Sequence, residues 1–303
     1  MFLQCLRVIA VSVLLLCGSS GSFAQDTQDT TQATTASEIQ QAYGAALKAA
    51  THGPADVAFR ELATLHLSDP YSFIPLAEAA SFMRAMGNTT DERFVGLIIP
   101  KQPDQNWFVT VNYNDSGHMK DEDAKTWNAK ELLQSIKDGT EASNKERVER
   151  GIPALDVVGW VEEPAYDTTT HRLVWSILAK DRGAQEATVN YNTYALGREG
   201  YFSLNLVTGE NTISQDKRHA GTLLGALDYK PGQGYQDFNS STDSVAEYGL
   251  AALIGGVAAK KLGLLAVIGV ALAKFWKVAL IAIAVAGWGF AKLFRRKNTT
   301  PDA

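Results

Sequence analysis

The sequence predicts an α+β domain, with an antiparallel β-sheet and flanking helices, followed by a C-terminal transmembrane helix region. Three observations lead to this prediction. Helical periodicity alternates with β-branched runs in the first half of the chain, and a series of strands with short connections follows. Near the C-terminus lies a long apolar segment without acidic residues. Short connections between consecutive strands favour antiparallel pairing, so we expect a meander.

The helices are predicted from their end signals and from the spacing of apolar residues. Ser37 is a suitable N-cap for the first helix, which ends before Gly53-Pro54. Pro75 lies in the first turn of the second helix, and Gly87 follows its last turn. The third helix has apolar residues on one face, at Leu132, Leu133 and Ile136. The predicted helices cover residues 37–50, 75–86, 126–150 and 212–224.

The predicted strands are rich in β-branched and aromatic residues. In one of them the apolar side chains alternate, so that Leu173, Trp175 and Ile177 share a face. An extended segment before the second helix ends at turn residues, Ser68-Asp69-Pro70. The predicted strands cover residues 57–67, 94–99, 107–113, 156–161, 172–179, 187–195 and 201–207.

The N-terminus has the pattern of a secretory signal peptide over residues 1–24. Arg7 gives a positive start, residues 8–16 form an apolar core too short to cross a bilayer, and Ser22-Phe23-Ala24 offers a cleavage site. Residues 25–36 are rich in Thr, Gln and Asp, and this composition predicts a disordered tether.

Both cysteines, Cys5 and Cys17, lie within the predicted signal peptide, so the mature chain would have no thiol. Disulfides, thiolate metal sites and a cysteine nucleophile are then excluded, and the fold depends on its hydrophobic core. An alternative is that Cys17 becomes the lipidated first residue of a lipoprotein, although Leu16 is bulkier than the residue that such a site prefers at this position.

The C-terminal segment, residues 244–292, predicts a membrane anchor. Residues 248–291 contain no Asp or Glu and consist mostly of apolar residues and glycine. The basic tail, residues 293–303, predicts a cytoplasmic end under the positive-inside rule. Because an export signal stands at the other end, we expect the domain over residues 37–243 to be soluble and periplasmic. The predicted location is the bacterial inner (plasma) membrane.

Basic residues interrupt and follow the predicted anchor: Lys260, Lys261, Lys274, Lys277, Lys292, Arg295, Arg296 and Lys297. A lysine near the middle of a membrane-spanning helix costs about 2.5–3.5 kcal/mol. Three interpretations remain open: the lysines reach the interface from a tilted span, face a partner or a polar cavity, or lie on an interfacial amphipathic helix. We expect at least one true span, with the lipid bilayer as a partner.

Several short stretches together resemble a known family: GLIIP at 96–100, GHMKDEDA at 117–124, VGWVEEPAYD at 158–167, HRLVW at 171–175, LGREG at 196–200 and YQDF at 235–238. This set is similar to the bacterial membrane-anchored family known as domain of unknown function 2167. The match covers nearly the whole mature chain, including the lysine-interrupted tail. The resemblance implies an exported, membrane-anchored protein, and it implies no catalytic residues.

Two polar stretches are candidates for a metal site. The oxygen-bearing residues from Asn112 to Asp123 partly follow the spacing of a calcium loop, but the first and last positions depart from that pattern. Asp167 and His171 have the spacing of a metal pair, although we favour a turn former and a strand-start residue. The candidate metal ligands are His118, Asp121, Asp123, Asp167 and His171, and neither a catalytic residue nor a cofactor is indicated.

The sequence lacks the common catalytic motifs Gly-x-Ser-x-Gly and His-Glu-x-x-His. A net charge of −5, with the basic cluster next to the apolar segment, excludes nucleic acid as a partner. We therefore expect a non-catalytic binding or assembly module of the cell envelope, with a second copy or another envelope protein as its partner. The alternative is a membrane-tethered metal-dependent hydrolase, which would require the candidate ligands to meet in one pocket.

Overall fold

The computed structural model describes residues 24–149 and 151–256, with backbone alone for residues 24–35. The described helices are α1 (Ala24–Ala49), α2 (Leu76–Ala85), α3 (Ala129–Glu149), α4 (Ile213–Gly225) and α5 (Leu250–Gly255), with short 3-10 helices at Glu122–Lys125 and Tyr235–Asp237. The strands are β1 (Thr51–His52), β2 (Ala55–Phe59), β3 (Ala63–Leu67), β4 (Tyr71–Pro75), β5 (Phe94–Pro100), β6 (Phe108–Asn114), β7 (Leu155–Asp167), β8 (Arg172–Asp181), β9 (Thr188–Leu196), β10 (Tyr201–Gly209) and β11 (Leu227–Tyr229).

The strands form two antiparallel sheets. The larger sheet has the order β1-β4-β5-β6-β10-β9-β8-β7, and the smaller sheet has the order β11-β3-β2. The strands β7 to β10 form the predicted meander, and β10 then pairs with β6. The α+β class with a large antiparallel sheet and flanking helices is thereby confirmed.

One face of the large sheet is covered by the small sheet and α4, and we call it the α4 face. Its core includes Phe202 from β10, Phe59 and Leu65 from the small sheet, and Leu223 from α4. Phe202 is fully buried, and its ring lies 4.8 Å from that of Tyr113, centroid to centroid. Aromatic pairs at such separations add to the stabilisation that comes from burial itself.

The opposite face, which we call the α1/α3 face, has two separate helical layers. Over β4 and β5, helices α1 and α2 bury Ile74, Leu97 and Ile99. At the other side of the sheet, α3 and α5 cover the meander, where Leu173, Trp175 and Ile177 point together as their alternation predicts. Along the strand order of the sheet, the middle strands separate the part that α1 and α2 cover from the part that α3 and α5 cover.

Two features of the first half differ from the prediction. Residues 57–67 form a hairpin and not one extended strand, because the chain turns at Arg60 and Glu61, which both have positive φ. Strand β4 was not predicted, since its five residues, which follow a turn and end at a proline, resemble a connection. Non-glycine residues rarely adopt positive φ, so the sequence gives no signal for this turn.

At the N-terminus, helix α1 begins at Ala24, so its backbone covers residues 25–36, where we predicted a disordered tether. These residues contain neither glycine nor proline, and nothing in them ends a helix that starts upstream of Ser37. Across residues 24–149 and 151–256, the structure contains no helix with the length and apolar character needed to cross a membrane. The predicted signal peptide up to residue 23, the anchor from residue 257 and the basic tail lie outside the described residues.

Candidate functional site

The ring of Tyr235 is the centre of a cluster that joins distant parts of the chain. It stacks on the ring of His171 at 3.9 Å and lies 4.4 Å from the ring of His118, centroid to centroid. Its hydroxyl donates to the carbonyl oxygen of Met119 at 2.8 Å. Phe238 covers His118 at 3.9 Å. Two of the candidate metal ligands therefore enclose an aromatic side chain that follows the last strand of the domain.

His171 is held by hydrogen bonds at both ring nitrogens. The Tyr166 hydroxyl donates to Asp121 Oδ2 at 2.9 Å and lies 3.0 Å from His171 Nδ1. Because that hydroxyl has one hydrogen, the Nδ1 hydrogen completes the second bond, and Nε2 accepts from Gln236 Nε2 at 2.6 Å. Burial, and then the Asp121 carboxylate, raise the pKa of Tyr166 above its ordinary value. Each ring nitrogen of His171 therefore has one hydrogen-bond partner.

The backbone of His118 pairs with residues 244–246, and its side chain lies close to the Arg198 backbone. Its N–H donates to Ser244 O at 2.8 Å, and its carbonyl accepts from Ala246 N–H at 2.9 Å. Its Nδ1 lies 3.2 Å from the carbonyl oxygen of Arg198. Burial lowers the pKa of His118, because a charged imidazole would be poorly solvated between two aromatic rings.

Asp123 caps helix α5. Its carboxylate oxygens accept the N–H groups of Leu250 at 3.2 Å and Ala251 at 3.0 Å, which have no partner within the helix. Gly249 precedes the helix, and a Cβ there would collide with this carboxylate. Burial raises the pKa of Asp123, against the effect of the two backbone hydrogen bonds.

Asp167 stands apart from the other candidates, in the exposed turn between β7 and β8. It accepts from Thr169 N–H and from the Thr170 hydroxyl, both at 2.8 Å. These bonds, the Thr169 amide first, lower the pKa of Asp167. Its role is the turn former that the sequence indicates.

The structure thus brings His118, Asp121 and His171 together and leaves Asp123 and Asp167 elsewhere. Among the described residues, no group of three or more His, Cys, Asp or Glu side chains is placed to hold a metal ion. The calcium-loop spacing is not realised as a loop, because Asn112 lies within β6 and Asp123 caps a helix.

Residues 235–256, which we call the docking segment, are the common partner of this cluster. An ion pair adds to it: Arg198 Nε lies 2.7 Å from Asp243 Oδ2, and this contact lowers the pKa of Asp243. Leu250 and Ile254 of α5 are buried in the core with Leu173. The folded domain therefore continues to Gly256 and includes residues 244–256, which the sequence assigns to the membrane-anchoring segment. Within these residues, helix α5 begins at Leu250.

Sequence reasoning missed the residues that make this attachment, although most of them were in view. Tyr235, Gln236 and Phe238 belong to one short motif, which enters the sequence analysis only as part of the family resemblance. Arg198 lies in a Gly-Arg-Glu-Gly stretch between strands, and it forms a bidentate pair with a carboxylate far along the chain. Two aromatic residues in a glycine-rich connection are a usable signal, because such residues need a surface to pack against.

A sequence profile of the family described as "Protein of unknown function (DUF2167)" matches residues 51–284, which is most of the chain. The chain belongs to the DUF2167 family. The matched region includes the whole docking segment and extends beyond it into the apolar sequence.

No curated protein matches the DUF2167 chain. Among solved structures, it is similar to the solution structure of cyanobacterial PsbP (CyanoP) from Synechocystis sp. PCC 6803. The identity is 7%, the TM-score is 0.35, and the match covers 60% of the DUF2167 chain and 91% of the cyanobacterial one.

We expect Asp123→Ala to lower the free energy of unfolding of the DUF2167 protein by about 1–2 kcal/mol, because two helix amides lose their acceptor. Asp167→Ala is the matched control, with a smaller effect in its exposed turn. Urea denaturation followed by circular dichroism measures both. If a chelator lowers the stability of the unaltered protein to that of Asp123→Ala, the carboxylate is a metal ligand and not a cap.

We expect the stability of the protein to fall as the pH is lowered from about 7 to about 5. Burial lowers the pKa of His118 and of His219, which stacks on Trp107 at 4.7 Å. Groups with a lowered pKa take up protons first in the unfolded state, so their contribution is present above the ordinary histidine pKa and is lost below it. Exposed His66 beside Asp56 has a raised pKa and acts in the opposite direction.

Urea titrations at the two pH values test this expectation. His118→Phe keeps a flat ring between Tyr235 and Phe238 but does not titrate, so its loss of stability at low pH should be smaller than that of the unaltered protein. His66→Phe, as the control, should lose at least as much as the unaltered protein. Stability that rises towards pH 5 would contradict the assignment.

Proposed function

We propose that this DUF2167 protein is an exported envelope protein that is anchored in the inner membrane by the residues after Gly256, and that its domain is a non-catalytic binding or assembly module. The single observation that carries the proposal is the docking of residues 235–256 onto the domain. In the proposed arrangement, the side chains with catalytic potential serve this attachment and are not available to a substrate.

The position of α5 supports a short and stiff connection to the membrane. Leu250 and Ile254 are buried in the domain core, and Asp123 caps the helix that contains them. After Gly256, three apolar residues and then Lys260 and Lys261 precede the apolar run that starts at Leu262, so the connection between the core and that run is short. A domain attached in this way would have its orientation to the bilayer set by packing. A flexible tether would not set it.

The bonds of the histidine cluster support a non-catalytic role. A general base needs an unoccupied nitrogen within reach of its substrate, but Tyr166 and Gln236 occupy both nitrogens of His171. The ring of His118 is covered by Tyr235 and Phe238. In the described part of the chain, both histidine side chains contact the docking segment and help to hold it on the domain.

Reporter fusions test the proposed topology. A fluorescent protein that matures only in the cytoplasm should fluoresce when it is fused after Ala303, and an alkaline phosphatase inserted in the exposed loop at Ser241 should be active. A chain without residues 1–24 is the control and should give no phosphatase activity. Phosphatase activity from a fusion after Ala303 would contradict the proposed placement.

A further inference from the structure

The centre of the α1/α3 face carries uncharged polar side chains in place of a core. We call this set the polar stripe; it lies on the adjacent strands β6, β10 and β9 and consists of six partly buried residues, Thr110, Asn112, Asn190, Asn192, Ser203 and Asn205. The cross-strand register joins Thr110, Asn205 and Asn192 in one row. With neighbouring strands about 4.8 Å apart, this row spans about 10 Å.

The polar stripe lies between the two helical layers of the α1/α3 face. On one side stand α1 and α2 over β4 and β5, and on the other side stand α3 and α5 over the meander. One end of the stripe is bounded by Tyr194, which is opposite Ser203 and donates to the Leu253 carbonyl of α5. At the other end, Phe108 and Val207 are direct cross-strand neighbours.

Most of the hydrogen-bonding capacity of the stripe is not used within the described residues. Asn205 Nδ2 donates to Asn190 Oδ1 at 3.3 Å, and Asn192 Nδ2 donates to the backbone oxygen of Asn190 at 3.2 Å. The other amide atom of Asn205, Oδ1, is buried and has no partner in the described part of the protein. Each asparagine side chain has two donors and a carbonyl acceptor, so the partly exposed atoms of the row have capacity for further hydrogen bonds, beside this one buried acceptor.

A stripe of this kind on the middle strands of a sheet is unusual for a face that has helices on both sides. Helices normally meet over an apolar centre, because burying polar groups without partners costs free energy. Here the two helical layers stay apart, and the amides between them remain accessible at their edges. The composition therefore points to a ligand that supplies the missing hydrogen bonds.

We propose that the polar stripe binds a neutral carbohydrate chain. The stripe has no charged residue, so an ionic ligand would lose hydration without gaining an ion pair. Hydroxyl groups both donate and accept, which matches amide and hydroxyl side chains. Phe108 and Val207 offer an apolar surface for the C–H face of a sugar ring. The inference rests on the proposed function only in treating the domain as a binding module, and it is independent of the membrane topology.

Isothermal titration tests the proposal with the full chain in phosphatidylcholine nanodiscs, which contain no sugar. The probe is the tetramer of N-acetylglucosamine. We expect saturable binding that weakens by about tenfold or more in the double variant Asn192→Leu, Asn205→Leu, which keeps the side-chain size and removes two amides. Asn211→Leu, at an exposed position after β10, is the matched control and should bind as the unaltered protein does.

If the double variant does not fold, Thr110→Val removes one hydroxyl of the same row with little change in shape, and weaker binding is expected from it as well. Absence of saturable binding by the unaltered protein overturns the proposal, as does equal binding by the stripe variants. A photo-crosslinker at Asn205 that captures residues after Gly256 or a second copy of the chain also overturns it, because the stripe then has a different occupant. None of these outcomes alters the result of the topology fusions.

Discussion

Replacing Phe202 by alanine is expected to lower the free energy of unfolding by about 3–5 kcal/mol, which is the range for a fully buried aromatic side chain. Phe202 has no exposed surface and lies near the start of β10, where the large sheet packs on the small one. Its ring contacts those of Phe59, Tyr113 and Tyr229. The variant would leave a cavity that three aromatic rings line, and such rings collapse poorly.

Urea denaturation of Phe202→Ala and Phe108→Ala provides the measurement. Phe108 lies on the neighbouring strand β6 and is only partly buried, so its removal should cost less. A loss for Phe202→Ala no larger than that for Phe108→Ala would mean that the two sheets do not pack as described.

Leu250→Ala is expected to have the second large effect, a loss of about 2–5 kcal/mol. Leu250 is fully buried between α3 and the meander, although it precedes the apolar segment by only a few residues. Its removal should detach α5 and also loosen the contacts of Tyr235 with the two histidines, because all of them hold the docking segment. In Leu250→Ala, we expect the backbone amides of residues 235–255 to exchange faster than those of the strands.

Leu253→Ala is the matched control for this prediction, since Leu253 belongs to the same helix but is only partly buried. Its effect on stability and exchange should be clearly smaller. Equal protection of the docking segment in Leu250→Ala and in the unaltered protein would show that α5 is not part of the domain.

Much of the fold could be predicted because its elements carry local signals. The strands β8 to β10 are rich in β-branched and aromatic residues, and the connections from β7 to β10 are short enough to allow antiparallel pairing alone. The hairpin at Arg60 and Glu61 could not be predicted, since its backbone is stabilised by neighbours and not by turn residues. The N-terminal extension of α1 was missed because a composition poor in apolar residues resembles a tether.

The candidate site shows where sequence reasoning ends. His118, Asp121 and His171 were selected for their chemistry, and the structure does bring them together. Their common partner could not be identified, because Gln236 and Tyr235 are more than sixty residues further along the chain than the nearest of them. Asp123 likewise reaches a helix that starts at Leu250. Contacts between residues so far apart in the sequence depend on the tertiary fold and leave no local sequence pattern.

The polar stripe also could not be predicted from the sequence, although its strands were predicted. Asn190, Asn192 and Asn205 look like the solvent side of ordinary alternating strands. Only the sheet order places them together, between two helical layers. A row of amides at the centre of a sheet becomes visible when the register is known.

Extraction of membranes at alkaline pH is the most direct test of the central claim, which is that the residues after Gly256 anchor a domain whose own core reaches to Gly256. Vesicles containing the full chain, and vesicles mixed with a chain that ends at Gly256, are washed with sodium carbonate and sedimented. We expect the full chain to stay in the pellet and the shortened chain, still folded by circular dichroism, to be found in the supernatant. Release of the full chain by carbonate would contradict this claim.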